Sequence, residues 1–432
     1  GPRTVTLVGE AEGETVREEA TLHIEAVVTD YDGGDGSLES YIALLPSLVN
    51  ARGGPVEITF DADPRSERNI YLASPLEVRG RVVLRGPVNA AGPVVQIHGA
   101  PGDRALVVHP DSFVEIEGLA FTYGRNVRGG HVHNQGELII RNSYLRDGGA
   151  DEGGGSIAND GVLRVESTRF VENFANVAGG AVDNQGEATF VDVGFEWNGA
   201  GRGGAIHLGS PADGPPGRIV VERGTFVDNL ATTSGGAILV GKGSSAEIRD
   251  SFSRGNQAAS GGAISVDEAK LRVEASTFHH NEADLGGAIH GEGPPPGASS
   301  PGMIEVRSSL FLENEANAGG AIYTHLDAGI DGCTFDGNVA TAGDGGASAL
   351  MSGSHSVLRS LFTRNRAVFG GAIASSGDLV VDSCLLFLNG DASTLLGGAI
   401  ESEGTTLVQN STIANNTANQ GGGIHVSLGE LS

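Results

Sequence analysis

Three stretches about 25 residues apart place acid-base side chains beside asparagine: His133-Asn134, Asn159-Asp160 and Asp183-Asn184, with His131 and His207 close by. If these segments stack, two carboxylates and a histidine base share one patch. Such a patch suits polysaccharide cleavage, either around a cation held by carboxylates or between paired carboxylic acids. Asp160, Asp183, His133 and His207 are the candidates for that chemistry. Their surroundings argue for a simpler role, because Asn134, Asn159 and Asn184 run into Gln135-Gly136, Asp160-Gly161 and Gln185-Gly186, which are turn sequences. The residues therefore imply no catalytic centre, no cofactor and no metal site. The acid excess leaves room for calcium, although no D-x-D-x-D-G loop is present. His290, His325 and His425 follow later glycine doublets in separated units and read as solvated turn residues.

The elements that must position these residues are written as a repeat. A glycine doublet followed by a small and then usually a β-branched residue returns at Gly129, Gly154, Gly179, Gly203, Gly235, Gly261, Gly286, Gly319, Gly345, Gly370, Gly397 and Gly421. Between doublets an aromatic or aliphatic residue stands three before an asparagine, as in Phe170 to Asn173 and Phe195 to Asn198. Eight before that asparagine the chain is apolar, from Val165 and Phe190 through Val381 and Val408. Runs such as Leu163-Arg164-Val165-Glu166 alternate apolar and polar, the mark of a strand with one buried face. A period this short means that each unit buries its apolar face only by stacking on its neighbours.

The predicted fold is all-β: a right-handed, single-chain parallel β-helix, a solenoid of about 25-residue coils with three short strands each. Asn173, Asn198, Asn229, Asn256, Asn281, Asn314, Asn338, Asn365, Asn389 and Asn416 are expected to form a structural ladder, with side-chain amides bonded in register and asparagine tolerating left-handed corners. Phe170, Phe195, Phe226, Phe278, Phe311, Phe335 and Phe362 should form one buried column, with Tyr144 aligned to it. Cys333 and Cys384 fall two units apart, too far to bridge, and should be free packed thiols. The glycine doublets lack the lysine and following helix of a phosphate loop.

The paired G-G-A-I and F-x-x-N motifs resemble the repeats of chlamydial polymorphic membrane proteins and other bacterial surface proteins of the β-helix type, over about residues 118–432. Upstream, Asp32-Gly33-Gly34-Asp35-Gly36-Ser37-Leu38 leading to Val56–Phe60 is similar to the N-terminal region of secreted proteins with the CSLREA domain, with Glu39 and Ser40 replacing the usual arginine and glutamate. These resemblances imply an extracellular or bacterial cell-surface protein, a non-catalytic adhesin or structural passenger. A polysaccharide lyase or glycoside hydrolase is the alternative. Expected partners are a surface receptor, a polysaccharide or another protein.

Composition narrows the class further. Acidic residues outnumber basic ones 54 to 27, and the formal charge of −27 repels nucleic acid and anionic membranes. No run is long enough for a membrane span. Residues 1–78 are expected to form a cap and lead-in strands, with a short helix beginning at Ser37 laid over the first coil, and residues 79–432 the β-helix. Two proline-rich surpluses, Ser210–Gly217 and Gly291–Gly302, should project from one side of the rod. The final coil, with Ile424, Val426 and Leu431, reads as an open end of a truncated rod that would self-associate end to end. Exposed aromatics appear too sparse in the repeats for a sugar platform, with Trp197, Tyr123, Tyr144 and Tyr323 standing out.

Overall fold

The computed structural model describes residues 24–28, 37–49, 55–209, 216–294 and 302–432. Most of both proline-rich surpluses, and the stretch Asp32–Gly36, lie outside the described residues. Parallel strands stack into three long sheets of 15, 14 and 14 strands, one strand per sheet per coil. The chain is thus a parallel β-helix. One coil runs Val162–Glu166, Arg169–Val171 and Val182–Asn184. Alternation sets its faces: Leu163 and Val165 point inward while Val162 and Arg164 are exposed.

Some coils carry a fourth short strand before the glycine doublet. These form a five-stranded sheet from Arg125–Arg128 to Leu230–Ser234 and a three-stranded one from Glu282–Leu285 to Val339–Ala340. At the N-terminal end, Ile24–Val28 pairs in parallel with Val56–Phe60, which pairs in turn with Arg81–Arg85. Arg68–Tyr71 and Leu76–Val78 likewise join the second and third sheets, so stacking already covers residues 56–78.

The helix spans Leu38–Val49 and continues through Pro46, further than the sequence suggests. Ser37 caps it, its Oγ accepting the Ser40 N–H at 3.2 Å. Leu38 and Ile42 face the core.

From Gly118 onward the coils turn three recurring corners in the left-handed region. In one coil these are Ser167, Glu172 and Gly179, with φ of 47°, 55° and 62°. The ladder asparagine is not itself left-handed; the residue before it is, because the asparagine is held by its neighbours above and below. Asn173 donates its backbone N–H and its Nδ2 to Asn198 Oδ1, both at 3.0 Å, and Nδ2 also reaches Leu145 O. The same pattern runs through Asn389 to Asn416. Within the doublet the two glycines differ in purpose. Gly179 supplies the positive φ, whereas a Cβ on Gly180 would sit 2.1 Å from the Gly204 carbonyl oxygen one coil on.

The phenylalanines stack at centroid spacings of 4.7–5.0 Å, but in two runs, Phe170-Phe195-Phe226 and Phe278-Phe311-Phe335-Phe362. Ser253 holds the intervening register position. Tyr144 is not in this column. It pairs with Ala120 and Arg169, and Leu145 takes the inward position beside Phe170. A one-residue offset in a strand reverses the face, so the tyrosine points outward and its OH donates to Ala91 O.

A second buried polar column holds Ser143, Thr168, Ser251, Ser276, Ser309, Cys333, Ser360 and Cys384. A backbone N–H donates to the next coil's hydroxyl or thiol, as Cys333 N–H does to Ser360 Oγ at 3.1 Å and Ser360 N–H to Cys384 Sγ at 3.4 Å. Both cysteines are free and buried. Burial pushes the Cys333 thiol up to about 11, leaving it unreactive.

Candidate functional site

The third sheet brings the acid-base residues together. His133, Ala158, Asp183 and His207 occupy one register column on adjacent strands, and Asp160 lies in the turn after Asn159. The partner that joins them is Arg128, just before the first doublet. Its guanidinium donates to Asp160 Oδ1 at 3.0 Å and to Asp183 Oδ2 at 3.1 Å. His133 Nε2 meets Asp160 Oδ2 at 2.7 Å, and His207 Nδ1 meets Asp183 Oδ1 at 2.7 Å. The result is a continuous chain, His133–Asp160–Arg128–Asp183–His207.

Electrostatics fix its protonation. Burial opposes ionisation of Asp183, whose side chain is only 6% exposed, yet the His207 hydrogen bond and the Arg128 charge hold its carboxyl below the ordinary range. Asp160 is shifted the same way: burial works against the charge, and His133 and Arg128 outweigh it. Burial also disfavours the Arg128 charge, but its bonds to Asp160 and Asp183 raise its pKa. Both carboxylates are thus ionised, and each of their oxygens already accepts a hydrogen bond. Neither is poised as a general acid, and a base would first have to break an ion pair.

The neighbouring asparagines lead into turns, as expected, but do more than that. Asn134, Asn159 and Asn184 are fully buried and form a further amide ladder, with Asn134 Nδ2 to Asn159 Oδ1 at 2.6 Å and Asn159 Nδ2 to Asn184 Oδ1 at 2.5 Å. His131 is fully buried as well, in the position that Ser156 and Ala181 hold in later coils, with Nδ1 3.0 Å from Ser156 Oγ. Burial pushes its pKa down to about 3, so it stays neutral. His290 is also buried, only 4% exposed, rather than sitting in a solvated turn, and its pKa falls to about 4 for the same reason.

Beside the five-stranded sheet lies an open groove of about 720 Å³. Its floor is Gly148, Gly149 and Ala150, its walls are Tyr123, Arg125 and Phe174, and Asp147, Asp151 and Glu172 make it acidic. Phe174 is 55% exposed and Tyr123 61%. Tyr71, His98 and Tyr123 stack at centroid distances of 4.3 and 5.8 Å, extending the aromatic surface towards the N-terminal end. Bonds to Asn69 Oδ1 and Thr122 Oγ1 pin His98 between the two tyrosines. Trp197, 55% exposed, occupies the corner equivalent to Glu172 one coil on. The sequence concealed this grouping. Phe174 sits one residue after a ladder asparagine, in register with Gly149 and Gly199, where nothing repeats.

The class of protein is thus a parallel β-helix with an ion-paired patch and an aromatic groove. No family model matches the chain. A stretch of 116 residues, 22% of the chain and 7% of the other protein, is 40% identical to the probable outer membrane protein PmpD of Chlamydia trachomatis serovar D. The matched part is thus a small fraction of that relative's length. Among solved structures, the A-module of the Azotobacter vinelandii mannuronan C-5 epimerase AlgE6 overlays with a TM-score of 0.50 at 16% identity, over 78% of this chain and 99% of that one. The AlgE4 A-module from the same organism gives 0.40 at 14% identity, over 94% and 100%. At 16% identity the likeness to the AlgE6 module is one of fold. No helix among the described residues is long and apolar enough to cross a membrane, which says nothing of a β-barrel.

Proposed function

We propose that this chain is a non-catalytic binding module of an extracellular or cell-surface β-helix protein, an adhesin or structural passenger that engages its partner through the aromatic groove. The observation that carries this reading is the hydrogen-bonded network around Arg128. The residues best suited to acid-base chemistry spend their hydrogen bonds on one another, while the exposed aromatic rings line an open groove. Similarity to a chlamydial outer membrane protein supports the location. Flat rings flanked by polar groups suit stacking against sugar faces, and three carboxylates to one arginine favour a neutral glycan over a polyuronate.

The test is a panel of neutral and acidic polysaccharides, scored for retention on immobilised protein and for new reducing or unsaturated ends. Retention that is lost in Tyr123→Ala and Phe174→Ala, with no new ends, is the expected result. Turnover that disappears in Asp183→Asn would overturn the reading in favour of a lyase or hydrolase.

A further inference from the structure

On another part of the rod three ligand atoms converge at one corner. His279 ends the strand Thr277–His279 and pairs with Leu312 one coil on, so His280 and Glu313 occupy equivalent corners of successive coils. Both corners are left-handed, with φ of 51° and 52°. The two imidazoles lie 4.0 Å apart between centroids. Glu313 Oε2 is 3.4 Å from His279 Nε2 and 3.0 Å from His280 Nε2, and the three atoms all lie within 4.8 Å of one another.

The hydrogen bonding makes this convergence unusual. His280 Nδ1 lies 3.2 Å from the Glu313 carbonyl oxygen, which can only accept, so Nδ1 carries the proton. In neutral imidazole that leaves Nε2 as a lone pair aimed at a carboxylate oxygen 3.0 Å away. Two acceptors face each other, and only a second proton or a cation makes the contact favourable. Backbone carbonyls that fix the tautomer in this way are the usual outer support of metal-bound histidine. The two histidine–carboxylate spacings, 3.4 and 3.0 Å, are those of ligands on one ion. Zinc bonds of about 2.0–2.1 Å in tetrahedral geometry put ligand atoms roughly 3.3 Å apart.

We infer that His279, His280 and Glu313 form a site for a zinc-class divalent transition metal, with three protein ligands and one position open to solvent. Imidazole nitrogens suit zinc, copper or nickel rather than calcium, which takes oxygen ligands. The three side chains are 29%, 51% and 60% exposed, so the open position is accessible to water or to a donor atom from a partner.

The test is calorimetric titration of the full chain with zinc chloride, with calcium chloride as the contrast. One zinc per chain is expected. His279→Ala, His280→Asn and Glu313→Gln should each weaken binding by more than the 10–100-fold typical of losing an outer-shell partner, and His325→Ala should not. Asparagine at position 280 tolerates the left-handed corner, and unchanged thermal melts would show that these surface variants fold. The inference falls if the chain takes up no zinc, if uptake survives the paired His279→Ala and His280→Asn change, or if calcium competes equally. A simple imidazolium–carboxylate ion pair would give the first of these results.

Discussion

Removing one rung of the asparagine ladder is the most direct test of what holds the coils in register. Asn281 is fully buried in the middle of the rod. Its Oδ1 accepts the Asn256 backbone N–H at 3.1 Å and Asn256 Nδ2 at 2.9 Å, while its Nδ2 donates to Ser253 O at 3.2 Å and Asn314 Oδ1 at 3.0 Å. In Asn281→Ala the Asn256 amide keeps its bond to Phe226 O, but the Asn256 N–H loses its acceptor in a dry interior. One orphaned buried donor costs about 1–3 kcal/mol, and the other lost bonds add about 0.5–1.5 kcal/mol each. With three such bonds the expected loss is about 3–7 kcal/mol.

Because solenoid stability is nearly a sum over neighbouring units, the loss should be local. Hydrogen exchange followed by mass spectrometry should show faster exchange in the coils carrying Asn256, Asn281 and Asn314, fading within two coils on either side. Asn416→Ala is the internal comparison. That residue is only partly buried, so water can replace its bonds, and its substitution should cost less than half as much. An Asn281→Ala effect below about 1 kcal/mol, or one equal to that of Asn416→Ala, would refute the ladder as a source of stability.

Other perturbations separate the remaining forces. Gly180→Ala should cost at least about 3 kcal/mol in denaturant unfolding, since its Cβ meets backbone oxygens at 2.1 and 2.6 Å, whereas Gly329→Ala, which meets only Ser356 Oγ at 3.8 Å, should change stability by no more than about 0.5 kcal/mol. Phe195→Ala, which empties a site between rings 4.9 and 5.0 Å away, should cost about 3–5 kcal/mol by the same measurement. Burial pushes the His355 pKa down to about 4 from its ordinary 6.5, and neither ring nitrogen has a hydrogen-bond partner of good geometry. The unfolded chain then takes up a proton the folded one refuses, so stability is full above pH 6.5 and is lost as pH falls towards 4. His355→Leu, placed in register between Ala328 and Leu379, should recover about 2 kcal/mol at pH 5 relative to pH 7.5, read as the difference between the two proteins' melting curves.

What the sequence made legible was whatever repeats. Period, strand alternation, the F-x-x-N asparagines and the doublets all return in each coil because each coil meets the same neighbour above and below. Tyr144 was placed on the wrong face because its unit has the pattern shifted by one residue, and a strand converts that shift into reversal. The buried row Asn134, Asn159 and Asn184 looked like turn residues because asparagine two residues before a glycine serves both purposes, and only stacking separates a solvated amide from a ladder. Arg128 left no signal at all. The residue before a doublet is variable, and its meaning lies in two aspartates 32 and 55 residues away. The groove and the His279 corner were hidden for the same reason: each is assembled from single, unrepeated residues on different coils.

That division between repeated and unrepeated residues follows from the corner before each ladder asparagine. Glu172, Trp197, Asp228, Gly255, His280, Glu313, Gly337, Arg364, Leu388 and Asn415 all hold this position with positive φ. A left-handed residue other than glycine is strained, by roughly 1–2 kcal/mol, yet tryptophan, leucine and arginine are accepted here. The adjoining residue explains why. From Asn173 onward, an amide bonded through both backbone and side chain to the next coil fixes the chain direction, so the corner does not depend on its own side chain to form. Chemistry can then change at the corner without loss of register. Glu172 at the aromatic groove, and His280 and Glu313 at the proposed metal site, are all left-handed corner residues. In this fold the side chains free to acquire a function are those the ladder has relieved of a structural one.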